Sequence, residues 1–293
     1  MIRALALALA LLLVGCGSDV VLSIDASTID AATTSRPGRG YAAFAMPELG
    51  GERYEIRSAV VEDLVTGLIW QRGDTGALRT LEDARAECDA LELDGRDDFR
   101  LPTRVEWVSI VAPARSPTVD GDAFPDALAE YHWSTSEPDE APGSAFSVYL
   151  GAGETTLGLA SRPSARVRCV AAGPAPIDGA QHEVRDEGVH DRGTGLTWSR
   201  AVIDATTWTE ARDACTAIDA RLPTIRELQT LVDESRRAPA IDPALFPDTP
   251  SERHWTSTIR DAGEPQPWTV DFLDGQTYAD ELGDVPHVAR CVI

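Results

Sequence analysis

One ordered series of motifs occurs twice along this chain, and it restricts the fold to something that can be built as two similar units. Residues 63–70 read DLVTGLIW and residues 191–198 read DRGTGLTW. TLEDARAEC ends at Cys88 and TWTEARDAC at Cys215; RLPTRVEW begins at Arg100 and RLPTIREL at Arg221. FPD follows at Phe124 and at Phe246, then YHWSTS and RHWTST, and finally RVRCV and VARCV. The two series keep the same order at an offset of roughly 120 to 130 residues, which marks a tandem duplication. The offset shifts once, where LELDGRDDFR makes the loop of the first copy longer than TAIDAR in the second. Each copy is the size of an ordinary domain. The expected organisation is residues 52–172 and 182–293 as domains, with residues 173–181, rich in Gly, Ala and Pro, as a linker.

Within each copy, Thr-Gly between apolar runs predicts a strand, a tight turn and a strand. Asp63 and Asp191 stand where a carboxylate caps the turn's backbone N–H groups. A helix follows, opened by Thr80 with Asp83 or by Thr207 with Glu210, the Thr-x-x-acid pattern of a capping box, in which Asp is the weaker third member. RLPT reads the same way. Pro102 and Pro223 hold the preceding Leu extended, and Thr103 with Glu106, or Thr224 with Glu227, caps a helix that buries Val105, Val108 and Ile110, or Ile225, Leu228 and Leu231. Arg100 and Arg221 are open to three readings: a bond to backbone carbonyls, a pair with Glu106 or Glu227, or a ligand contact. The later half of each copy alternates apolar and polar residues in short runs, the pattern of antiparallel strands, with Trp133 and Trp255 in the core.

The cysteines follow the duplication. Pairing Cys88 with Cys169 and Cys215 with Cys291 is the one arrangement that respects the repeat and keeps each bridge inside a domain. A closed loop of roughly 80 residues is worth about 4 kcal/mol in the chain-entropy model. Beyond Cys16 the chain has four cysteines, an even number that suits an exported chain. MIRALALALALLLVGCGSD, with one positive charge and a short apolar run, reads as a secretory signal at residues 1–15. Its end, LVGC, resembles the lipobox of bacterial lipoproteins, in which Cys16 becomes the lipid-modified N-terminus. Acyl chains there anchor the chain to a membrane; Gly17, and not Asp, after the cysteine implies the outer membrane under the enterobacterial sorting rule. Residues 16–51, rich in Ser, Thr, Ala, Asp and Gly, read as a flexible tether. The formal charge of −22 excludes a nucleic-acid partner, which needs a basic footprint.

As an ordered set, Asp-x-x-Thr-Gly-Leu-x-Trp, the Thr-capped helix ending in Cys, Arg-Leu-Pro-Thr-x-x-Glu, the Trp-Ser/Thr strand and the terminal Arg-Cys-Val resemble the Lcl C-terminal domain family, named after a collagen-like bacterial adhesin. The resemblance covers residues 52–293. It implies an α+β, C-type-lectin-like fold for each domain: two helices flanking a twisted antiparallel sheet, one disulfide, and termini close together. The chain departs from the namesake in lacking a collagen-like region and in its acidity, which speaks against sulfated ligands. The function this implies is a non-enzymatic envelope binding module for a glycan or a surface protein, its two weak sites adding through effective concentration. The alternatives are a structural envelope subunit without a small ligand and an enzyme related to sulfatase-modifying factors, whose chemistry requires reactive thiols. No zinc-protease, nucleophile-elbow, phosphate-loop or Cys-x-x-Cys motif occurs. Candidate ligand residues lie in the loop after each Trp strand: Glu137-Pro138-Asp139 and Glu264-Pro265-Gln266 resemble the acid-Pro triplets of calcium-dependent lectins, with Asp271 beyond. Calcium, which takes six or more oxygens, is the one cofactor these residues raise.

Overall fold

A computed structural model describes residues 40–47, 52–74, 76–113, 116–174, 177–178, 180–262, 264–279 and 285–293. The expected signal peptide, the anchor residue Cys16 and the tether from 17 to 39 lie outside the described residues.

Domain 1 begins with β1 (Tyr54–Ile56), β2 (Val60–Asp63) and β3 (Leu68–Gln71), and closes with β7 (Val170–Ala172) beside β3, so both of its ends share one antiparallel sheet of order β1-β2-β3-β7. Asp63 sits at the hairpin, buried, accepting from the N–H groups of Val65 and Thr66 as a turn cap. A second sheet joins β4 (Tyr131–Trp133), β5 (Ser144–Tyr149) and β6 (Glu154–Leu159). Helices α1 (Leu81–Asp89) and α2 (Arg104–Ile110) lie between the two sheets in sequence. Domain 2 repeats the order: β8 (His182–Val184), β9 (Val189–Asp191) and β10 (Thr197–Trp198); β11 (Ile203–Thr206); α3 (Trp208–Ala217); α4 (Ile225–Leu228), extended by a 3-10 turn over Gln229–Leu231; then β12 (Arg253–Ala262), β13 (Glu264–Asp271), β14 (Thr277–Ala279) and β15 (His287–Ala289).

Each domain therefore carries two sheets where the sequence suggested one, and the sheets are not wholly antiparallel. The returning chain meets the Trp strand in parallel, at His132↔Arg166 in domain 1 and His254↔Val288 in domain 2. The reason is connectivity: the last strand comes back from the far end of a hairpin and enters in the same direction as β4 or β12.

The caps follow the sequence. Thr103/Glu106, Thr207/Glu210 and Thr224/Glu227 form complete capping boxes, whereas the shorter Asp83 takes the Thr80 hydroxyl without reaching back to the Thr80 backbone N–H. Both disulfides form as paired, Cys88–Cys169 and Cys215–Cys291, with Cα atoms 5.4 and 5.6 Å apart. Trp133 and Trp255 are fully buried, their indole N–H groups donating to the Arg79 and Thr206 carbonyls. The Arg of each Arg-Cys-Val binds the last strand to the first hairpin: Arg168 donates to the carbonyls of Gln71 and Arg72, Arg290 to those of Ser199 and Arg200.

The two copies share a face. Arg104 is fully buried and reaches out of α2 into domain 2, its Nε 2.8 Å from Glu234 Oε1 and its Nη2 3.2 Å from the Gln229 carbonyl. Arg226 makes the return crossing, donating to the Val108 carbonyl at 3.1 Å and to that of Ser109. Val108 and Gln229 hold the same place in the repeat, so the two crossings end on equivalent carbonyls, although Arg104 and Arg226 themselves stand one position apart in the repeat. On the other side of this face Thr155 of β6 meets its own counterpart, Thr277 of β14: the Thr155 N–H donates to the Thr277 hydroxyl at 2.8 Å. The N–H of Leu157, on the same strand, takes the Gln276 side-chain carbonyl at 3.3 Å. Two sheet edges thus meet through side chains, which satisfies edge N–H groups without a backbone ladder.

The expected tether needs correcting at its C-terminal end. Ala42 and Phe44 are buried against Val105, the Tyr41 ring stands 4.7 Å from His182, and Ala42 and Pro47 supply carbonyls to Gln181 and Arg226. Single aromatic residues among Gly and Ala bury without any periodicity, which is why this segment reads as irregular in sequence.

Candidate functional site

The RLPT arginines resolve into fold elements. Arg100 grips Glu106 with two bonds, of 2.8 and 2.6 Å, and also donates to the Leu101 carbonyl; Arg221 repeats this on Glu227 at 2.8 and 2.7 Å and on the Leu222 carbonyl. The same glutamates accept the N–H of Thr103 and Thr224. Each arginine thus closes the box that starts its helix, a forked pair with geometric specificity.

The structure places the residues of the acid-Pro triplets as follows. Glu137 is paired with Arg85 on α1, and Asp139 is an exposed residue whose backbone N–H donates to the Glu234 carbonyl. Glu264 opens β13 and Asp271 ends it, which at strand spacing puts them about 20 Å apart. Gln266 is in register with Arg260 across the β12–β13 hairpin. Asp271 caps the turn after β13, accepting from Leu273 N–H at 2.8 Å, and burial pushes its carboxyl upward. Among the described residues no group of three or more His, Cys, Asp or Glu could hold a metal ion, so the calcium reading gains no ligand set there.

His132 and His254, which precede the core tryptophans and alternate to the other face of their strands, are both fully buried. His132 is held at both ring nitrogens, by the Glu130 carbonyl and by Asp74 Oδ2, each at 3.1 Å. Its counterpart differs because Val202 stands where the first copy has Asp74. His254 Nδ1 bonds the Glu252 carbonyl at 2.9 Å, while Nε2 is buried with no partner. Burial pushes this imidazole down to about 3. Its folded value lies below the ordinary 6.5, so the unfolded chain binds the proton first, and stability held above pH 6.5 is lost as pH falls toward 3. Between pH 7 and 4.5 this one group is expected to cost about 2.5 kcal/mol. A His254→Phe variant, followed by urea unfolding at both pH values, should lose that much less on acidification; an unchanged pH dependence would contradict the assignment.

What the sequence did not reveal is a groove along the face shared by the two domains, with a volume of about 420 Å³. Domain 1 contributes Tyr131 and Glu154 to its wall; domain 2 contributes Arg253, Arg260, Gln276 and Tyr278. Tyr131, 40% exposed, stacks beside Tyr149 at 4.9 Å, and the Arg253 guanidinium lies 3.9 Å over the Tyr278 ring. Burial, then Glu154 and Tyr149, raise the Tyr131 hydroxyl above its ordinary value, so it stays a neutral donor at physiological pH. Arg260 faces Glu154 at 3.6 Å and Arg253 faces Asp271 at 3.9 Å, both beyond hydrogen-bond length.

The wall is built from pseudo-equivalent positions at which the copies have diverged. Tyr131 and Arg253 each precede the His-Trp of their strand, and Glu154 and Gln276 each follow a glycine in the left-handed region, Gly153 at φ 92° and Gly275 at φ 82°. A Cβ on Gly275 would stand 2.5 Å from Val232 Cγ1, so the turn that presents Gln276 depends on glycine. The signal available in the sequence was the contrast of YHW with RHW and of GET with GQT, one difference per copy at places where the fold itself is conserved between them.

The family model of the Lcl C-terminal domain matches residues 59–171 and, separately, residues 187–293. Each match spans one copy of the repeat, from the first hairpin to the final strand. No curated protein matches the chain.

Proposed function

Because the chain belongs to the Lcl C-terminal domain family through both of its copies, we propose that it is a non-enzymatic binding module of the cell envelope whose paired domains recognise a glycan or a protein. In this reading Cys16 carries the lipid anchor, the outer membrane is the address, and each domain has a C-type-lectin-like fold. The lectin-like fold is supported by the placement of both ends of domain 1 in one sheet and by the bridge from the first helix to the end of each domain. The observation that carries the functional reading is the groove between the domains, polar and aromatic, of a size usual for ligand sites. A groove with walls from both copies favours one shared site over two weak sites added through a flexible linker.

A non-enzymatic role is supported by the cysteines. All four in the two domains are tied up in disulfides, whereas sulfatase-modifying chemistry requires reactive thiols. The test pairs a glycan array with a pull-down from envelope extracts, both using the full chain. Saturable capture of a glycan or an envelope protein is the expected result. Capture of neither would overturn the proposal, and a free-thiol titration above zero in the folded domains would reopen the enzymatic alternative.

A further inference from the structure

We infer that domain 2 carries a second binding site, a surface groove walled by Trp208 that takes an uncharged saccharide whose pyranose rings bear equatorial hydroxyls. It lies apart from the groove between the domains, with which it has no residue in common.

The two copies have diverged at this place. In domain 1, Arg85 of α1 crosses to the segment after β4, donating to the Thr135 carbonyl at 3.2 Å and to Glu137, while Leu81 at the start of the same helix is buried. In domain 2, Trp208 stands in place of Leu81 and Ile259 in place of Glu137. Arg212, the counterpart of Arg85, finds no carboxylate on Ile259 and pairs with its neighbour Asp213 at 2.8 and 3.0 Å. The indole makes the crossing instead, its N–H donating to the Thr256 carbonyl at 2.7 Å. The span that Arg85 bridges in domain 1 is in domain 2 a groove of about 560 Å³, within the range of ligand sites.

Six of the seven tryptophans are fully buried, and Trp208 is the exception. It packs against the cluster that holds Ala211, Cys215 and Leu222, and the rest of its surface lines the groove. Fixed at its N–H and backed by that cluster, the indole is a rigid apolar plate. A pyranose with equatorial hydroxyls has C–H groups on its faces and packs on such a plate. The Arg212 guanidinium lies 5.4 Å over the ring, but its side chain is 50% exposed and its pair with Asp213 is a surface one, so an entering sugar displaces it at little cost.

The rim selects against charge. Arg221 is balanced by Glu227 at 2.7 and 2.8 Å, as Arg212 is by Asp213. The Thr216 hydroxyl donates to the Arg212 carbonyl at 3.0 Å and that of Ser257 to the Pro223 carbonyl at 3.1 Å. Their protons are spent on the backbone, and their lone pairs remain to accept. Sugar hydroxyls, which donate as well as accept, match these groups. The carbonyls of a proline-rich peptide only accept and leave the lone pairs unmet; a carboxylate meets guanidiniums whose charge is already balanced.

The test uses the full chain with cellotriose and chitotriose, both uncharged and equatorially substituted, and with decaproline for contrast. Calorimetric titration is expected to show saturable binding of at least one trisaccharide and none of decaproline. Bound sugar should also shield tryptophan fluorescence from acrylamide, because Trp208 is the one indole that is not fully buried. Trp208→Leu installs the residue that domain 1 carries at the same place; it should weaken binding about tenfold and abolish the shielding. Trp208→Leu/Ile259→Glu rebuilds the crossing that Arg85 makes and should remove binding. Tyr131→Ala, in the groove between the domains, should leave it unchanged, and thermal unfolding of each variant checks that the fold is intact. Binding of neither trisaccharide, binding of decaproline in their place, or sugar binding untouched by Trp208→Leu would each overturn the inference. Sugar binding lost in Tyr131→Ala and kept in Trp208→Leu would do the same while supporting the groove between the domains.

Discussion

Replacing Arg104 by Ala is expected to lower the unfolding free energy by about 3–5 kcal/mol, the range for a buried ion pair that loses one partner. Arg104 is fully buried, and Glu234 opposite it is buried too, with a carboxyl that burial already pushes upward against the attraction of Arg104. Without the guanidinium, Glu234 stays buried against Gly40, where even a Cβ would come within 2.3 Å of it, and keeps Ser136 but no cation as a partner. The Gln229 carbonyl loses a donor at the same time. The double variant Arg104→Met/Glu234→Gln should recover most of the loss, because exchanging a buried pair for neutral groups of similar volume is close to neutral. Urea unfolding of the three chains checks both statements. A loss below about 1 kcal/mol for Arg104→Ala would mean that the shared face is open to solvent.

The second large effect is expected from the disulfides. Cys88, Cys169, Cys215 and Cys291 are all fully buried, and the bridges close loops with sequence separations of 81 and 76. Converting either pair to Ala should cost about 2–5 kcal/mol, again by urea unfolding of the full chain. The two bridges occupy equivalent places, so the two double variants should lose similar amounts. A marked inequality would show that one copy relies on the other for its stability.

The account was legible in the sequence where a local pattern carries it. The Thr-x-x-Glu boxes, the Thr-Gly hairpins and the cysteine pairing depend on spacing within one copy, and the duplication supplied each signal twice. The pairing of Arg100 with Glu106 was one of three readings and needed the structure to select it. The face between the domains was not legible. Arg104 and Arg226 stand in the first turns of polar-looking helices, and nothing in RVEW or IREL separates a solvated guanidinium from one buried in a neighbour. Burial of a charge depends on a partner more than a hundred residues away in sequence, which no local periodicity encodes. The groove was hidden for the same reason. Tyr131, Arg253, Glu154 and Gln276 are ordinary strand-end residues until two sheet edges meet. The acid-Pro triplets are a recognisable local pattern, and whether ligands gather round such a pattern is set by distant parts of the chain; among the described residues no group of three or more His, Cys, Asp or Glu could hold a metal ion.

The seam joins these observations into one claim: the two copies fold and act as a single body, which is what gives the groove two walls. Scanning calorimetry of the full chain tests it most directly. The account predicts one cooperative transition, with the calorimetric enthalpy matching the van't Hoff enthalpy, and a separation into two transitions in Arg104→Ala. Two independent transitions in the unaltered chain, unmoved by substitution at Arg104, would contradict it.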